Sequence, residues 1–119
     1  MLRVDIQSAP SNVTLHCCGR LVLGAESKNL RRIITSRPEP HISLDLSRVN
    51  GIDAAGLGLL ADLHRWTQQR SARLTIANPS LPAYKLIALS RLDRVLHIVG
   101  EPAVADLLSG TERWQGMTA

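Results

Sequence analysis

The chain has 119 residues, 45% hydrophobic and 20% charged, which fits one globular domain and excludes both a disordered chain and a two-domain protein. Its formal net charge is +4, but the basic residues are nearly all arginine, spread from Arg3 to Arg113 with no run longer than Arg31-Arg32, and only 3% of residues are aromatic; a nucleic-acid partner is therefore not expected. No window approaches the roughly 18 consecutive apolar residues of a membrane span and "MLRVDIQSAP" lacks a signal-peptide apolar core, so no membrane insertion is expected and a cytoplasmic address is the simplest expectation.

In chain order, "LRVDIQSA" (2–9) alternates apolar and polar residues, with Leu2, Val4 and Ile6 on one face, as a half-buried strand does. Pro10, Ser11 and Asn12 make a turn, and "VTLHCCG" (13–19) resumes the alternation, so residues 2–19 read as a β-hairpin ending at Gly19. After "GRLVLG" the period becomes helical through Leu30, Ile33 and Ile34, giving a helix over about 25–36 that the prolines of "RPEP" stop. "HISLDLS" is a short β-rich run, expected to end in a turn at "SRVNG". Over 54–70, Gly56, Leu59, Leu60, Leu63 and Trp66 or Thr67 form the apolar stripe of an amphipathic helix. "ARLTIAN" (72–78) is the next strand. Ser80 caps a helix with Pro82 in its first turn and Leu86, Ile87, Leu89 and Leu92 along it. A strand at 95–100, a helix at 101–110 and a fraying tail at 111–119 complete a β-β-α-β-α-β-α-β-α order. That order predicts an α/β domain over 1–110: a single mixed β-sheet with an antiparallel N-terminal hairpin, packed by about four helices.

Neither the four histidines nor the adjacent Cys17 and Cys18 have metal-ligand or redox spacing, so no metal and no cofactor are expected. Asp45 is assigned to a strand-end turn rather than to a catalytic pair with Asp53. No nucleophile or base emerges, and no enzyme is expected.

The informative stretch is "DLSRVNGIDAAGLGLL" (45–60), where a strand leads into a helix. Asp53 suits the N-cap, leaving the peptide N–H groups of Ala54, Ala55 and Gly56 at a corner able to hold negative charge. Gly56 and Gly58 would let the helix lie close to the sheet or to a partner. The phosphate-loop, dinucleotide and hydrolase-elbow spacings are all absent. Small-molecule or nucleotide binding at this helix N-terminus rests on backbone donors alone.

Preceded by "CGRLVLG" and followed by "RLTIANPSLPAYKLIALSRLDRVLHIVGEPAVADLL", this stretch resembles a STAS domain of the anti-sigma factor antagonist type over essentially the whole chain. The resemblance implies a non-enzymatic switch that binds an anti-sigma factor acting also as a serine kinase, and that releases it when a serine is phosphorylated. Mapped onto this chain, that serine falls on Ala55 and its hydroxyl neighbour on Ala54, while Val22 stands where the family places an aspartate. A protein partner is thus expected, an anti-sigma factor serine kinase or a related regulator, with docking through 19–24, the corner at 47–58 and the helix that follows. The expected contacts are Val22, Gly24, Ser47, Arg48, Asp53, Ala54, Ala55, Gly56 and Leu57. The missing serine leaves a second expectation open: a STAS-type structural subunit of a transport or stress-signalling complex. Trp66 is expected to pack in the core or to anchor an interface, and Trp114 to dock back or contact another chain.

Overall fold

A computed structural model describes residues 2–100. Its elements are β1 (Leu2–Ser8), β2 (Asn12–Leu21), α1 (Ala25–Thr35), β3 (His41–Ile52), α2 (Ala54–Gln69), β4 (Arg73–Ala77), α3 (Leu81–Leu89), a 3-10 turn (Leu92–Arg94) and β5 (His97–Val99). The five strands form one sheet in the order β1-β2-β3-β4-β5, antiparallel between β1 and β2 and parallel thereafter. Because each right-handed crossover steps the same way along the sheet, α1, α2 and α3 fall on one face. The mixed sheet with its antiparallel hairpin is as expected. Three helices lie within the described residues; the expected helix at 101–110, the tail at 111–119 and Trp114 lie outside them.

Alternation along the strands sends Val13, Leu15 and Cys17 of β2, Ile42, Leu44 and Leu46 of β3, and Leu74 and Ile76 of β4 into the core under the helices. Leu30 and Ile34 of α1, Leu59, Leu60 and Leu63 of α2, and Ile87 of α3 meet them. The stripe predicted for α2 is the one it buries, closing with Thr67. Trp66 is only partly buried against the core, with the Arg70 guanidinium 4.5 Å above its ring. Arg70 also donates to the backbone oxygens of Arg37, Pro38 and Glu39, tying the end of α2 to the α1–β3 connection.

The helix capped by Ser80 ends at Leu89, which is exposed, and the expected Leu92 lies beyond it in the 3-10 turn. Two further expectations change. β2 does not end at Gly19 but continues to Leu21, and "SRVNG" is not a turn but the second half of β3. The cause is a pair of register shifts. His16 lies opposite Asp45 but Cys18 opposite Arg48; Gly19 then lies opposite Val49 but Arg20 opposite Gly51. Each shift leaves β3 one residue longer than β2, as in a β-bulge. Leu46, Val49 and Ile52, three residues apart, consequently all point inward, which a strict period of two forbids. Asp45 holds the first bulge, accepting a hydrogen bond from Ser47 N at 2.9 Å, so it serves a mid-strand irregularity rather than a terminal turn. Gly19 takes a φ of 120° between the two shifts, a conformation most side chains avoid.

Candidate functional site

The carboxyl ends of β2 and β3 and the start of α2 meet at one corner. Asp53 is the N-cap of α2: its Oδ1 accepts from Gly56 N at 2.9 Å, while its Oδ2 accepts from Leu23 N at 3.0 Å in the loop after β2. One carboxylate therefore caps the helix and tethers the loop. These bonds from Leu23 and Gly56 hold its carboxyl below the usual carboxylate range, against a smaller opposing effect of burial. An anion at this helix N-terminus would sit against a fixed negative charge, which disfavours the phosphate or nucleotide expectation.

Gly56 is buried and faces inward. A Cβ at this position would lie 2.2 Å from Leu21 O and 2.8 Å from Ile52 Cγ1, so only glycine lets α2 approach the end of β2 so closely. Gly58 is different: a Cβ there would meet nothing within 4 Å. Of the two expected uses of these glycines, close approach to the sheet is met by Gly56, while the exposed Gly58 leaves room only for the other, approach by a partner.

Gly58 opens onto a shallow groove of about 260 Å³ between α1 and α2, walled by Leu23, Lys28, Arg31, Ala55, Leu59 and Asp62. Leu23 is 75% exposed. Ala54 is exposed and Ala55 half-buried, both free of any reactive group. Asp62 is engaged by Arg31 at 3.5 Å and by Arg65 at 3.8 Å.

Of the expected contact residues, Val22, Gly24, Asp53, Ala54 and Ala55 gather at this corner, with Leu57 partly buried behind it and Gly56 turned into the fold. Ser47 and Arg48 do not join them. They lie at the first bulge and line another groove, of about 380 Å³, with Arg3, Asp5, His16 and Asp45. There His16 Nδ1 lies 3.3 Å from Asp45 Oδ2. Burial pushes the Asp45 carboxyl up, but hydrogen bonds from Ser47, the facing His16 and the Asn78 side chain together hold it below its usual range. Neighbouring Cys17 is buried, and burial together with Asp45 pushes its thiol up to about 12, which disfavours the thiolate. Among the described residues, no group of three or more His, Cys, Asp and Glu side chains could hold a metal ion.

Leu23, Gly58 and Asp62 lie within the stretches expected to dock, but sequence reasoning missed Lys28 and Arg31 of α1 as walls of the same groove. Gly58 carried a signal, since a glycine within a helix but off its apolar stripe costs helix stability with no packing gain in the core.

Comparison with known proteins then places the chain. A family model described as "Mlab, STAS domain" matches residues 4–100. Among curated protein sequences none matches. In fold it is similar to a Thermotoga maritima protein proposed to be an anti-sigma factor antagonist (17% identical, 92% of this chain and 95% of that one, TM-score 0.73). A Mycobacterium paratuberculosis anti-sigma factor antagonist is similar too (18%, 94% and 95%, TM-score 0.70). So is the anti-sigma factor antagonist SpoIIAA in its unphosphorylated form (19%, 91% and 97%, TM-score 0.68). No helix among the described residues is long and apolar enough to cross a membrane.

Proposed function

We propose, from the premise that this chain belongs to the "Mlab, STAS domain" family, that it is a non-catalytic docking module that binds a protein partner through the corner at the start of α2. The observation that carries the reading is the open groove in which Gly58, Ala55 and the exposed Leu23 leave small and apolar surface uncovered beside a fully committed Asp53 carboxylate. Such a surface suits a packed side chain from a partner, while polar groups of its walls are held in structural contacts, Ser27 donating to Gly24 O and Asp62 facing Arg31 and Arg65.

The position equivalent to the family's switch serine is Ala55, whose methyl group cannot accept phosphate. A phosphoryl group would add about −1.5 to −2 charges at the mouth of the groove, enough to expel an apolar partner. Without it, docking is constitutive with respect to this site. The partner class the fold relatives suggest is an anti-sigma factor or a related regulator. A second reading, a structural subunit of a transport or stress-signalling complex, draws on the same observation, because a permanent subunit has no use for an off-switch at its interface.

The test is crosslinking in the cells of origin, followed by quantitative binding of the purified partner to the wild-type chain and to Leu23→Asp and Gly58→Arg. Loss of at least tenfold in affinity with both variants, while they remain folded, supports the corner as the docking site. Undiminished binding by both would sink it. The identity of the crosslinked protein decides between the readings: an anti-sigma kinase for the first, a transporter or signalling-complex subunit for the second. Incubation with a serine kinase and ATP should leave residues 54 and 55 unmodified by mass spectrometry; phosphate on Ser47 would instead reveal a relocated switch.

A further inference from the structure

Among the described residues, no strand pairs with the outer edge of β1, which runs seven residues, Leu2–Ser8, with no proline and no bulge. Natural edges of this length are usually blunted. Ala9 N donates to Asn12 O across the end of the hairpin at 2.8 Å, and peptide orientation alternates along a strand. Hence Arg3, Asp5 and Gln7 aim their peptide groups at β2, while Leu2, Val4, Ile6 and Ser8 aim theirs away from the sheet.

We propose that this edge pairs antiparallel with the same edge of a second copy of the chain, centred on Val4. A two-fold axis through Val4 sets Leu2 opposite Ile6 of the second copy, Val4 opposite Val4, and Ile6 opposite Leu2. All three are the residues with outward peptide groups, so each pair exchanges two hydrogen bonds. Arg3 then lies opposite Asp5 and Asp5 opposite Arg3 in the two pairs without backbone bonds, where facing side chains come closest, at about 4.5 Å between Cα atoms.

Charge selects this register. Moving the axis to residue 3 would set Arg3 against Arg3, and moving it to residue 5 would set Asp5 against Asp5; like charges directly opposite are destabilising. A half-step would turn outward peptide groups against inward ones. Within one chain, Arg3 and Asp5 already lie 3.6 Å apart, each 66% exposed on the face free of helices. They can exchange partners across the seam without being dragged from the core. The apolar side of the seam has matching surface. Ile6 is 48% exposed, and in the paired arrangement it lies beside Leu2, one wall of an open recess of about 450 Å³ completed by Arg3, Cys18 and Gly19. The interface is isologous and closed, one ten-stranded sheet with no further growth through β1.

Sedimentation equilibrium of the purified chain over a wide concentration range is the test, with far-UV circular dichroism to verify folding. The wild type should dimerise. Arg3→Asp and Asp5→Arg, each placing two like-charge pairs in the seam, should each weaken the dimer roughly tenfold or more. An equimolar mixture of the two variants should form a heterodimer, because Asp at 3 then faces Arg at 5 and the native Arg3 faces the native Asp5. A wild type that stays monomeric at every concentration, a dimer indifferent to the single changes, or a mixture no tighter than its components would each overturn the proposal.

Discussion

Asp53 does at one position what the fold otherwise needs two residues for: it caps α2 and anchors the loop at Leu23. The cap was legible, because aspartate before an apolar helical run is a start signal. The tether was not, because it joins residues thirty positions apart and its donor is a backbone amide that has no sequence signature. Because folding lowers the Asp53 pKa, its contribution is complete above the pKa of the unfolded carboxyl, about 3.9, and is lost as pH falls through the lower folded value. Asp53→Asn keeps a capping acceptor but no charge. Its thermal midpoint should lie below that of the wild type at neutral pH and converge on it as the solution is acidified, as differential scanning calorimetry across that range would reveal. The two glycines of the corner should respond oppositely to alanine. Gly56→Ala, which forces a methyl group into Leu21 O, should cost on the order of 2 kcal/mol or more in urea unfolding. Gly58→Ala meets no neighbour and should stabilise the free chain by roughly 0.5–1 kcal/mol. A gain at Gly58 accompanied by weaker partner binding would tie that glycine to the docking surface rather than to the fold.

Among the elements, α2 was the most legible, because its sixteen residues sample the apolar period several times and its buried stripe repeats without interruption. α3 was equally plain at its start, where Ser80 accepts from Ala83 N at 3.3 Å with proline in the first turn. The same hydroxyl donates to Val49 O at 2.5 Å, fastening the helix to the bulged half of β3. Ser80→Ala should therefore lower stability by about 1–2 kcal/mol in urea titration, since both a cap and a tertiary bond are lost. β3 was the least legible element. Its inward residues Leu44 and Leu46 keep the strand period, but Leu46, Val49 and Ile52 step by three, a spacing that reads as helix or turn. The two bulges that reconcile it depend on how β2 is paired, and a pairing partner cannot be read from one strand alone. Misreading β3 also misplaced Ser47 and Arg48, which a turn would have put at the corner and a strand puts on the other groove.

For the molecule as a whole, strand β3 is the spine. It pairs with β2 on one side and β4 on the other, whereas β5 contributes three residues at one edge and β1, among the described residues, pairs with β2 alone. Native-state hydrogen exchange should rank the amides accordingly, with the central residues of β2 and β3 exchanging only on global unfolding and those of β5 through local opening. If β5 amides exchange as slowly as those of β3, this hierarchy is wrong. The sheet order was legible in outline from the alternation of strands and helices. Which strands stand at the edges of the described sheet was not, since that depends on where each later strand docks.

The unbroken order β1-β2-β3-β4-β5 carries a consequence for how the protein is made. Every new strand adds beside the one synthesised just before it, so no strand has to wait for a distant segment or insert between two already joined. Emerging from the ribosome, the nascent hairpin can serve as the template for β3, and β3 in turn for β4. Until β3 arrives, however, the apolar side of the hairpin has no helix-covered sheet to complete it, and the interval between translating residue 21 and residue 52 is when the growing chain is most in need of protection.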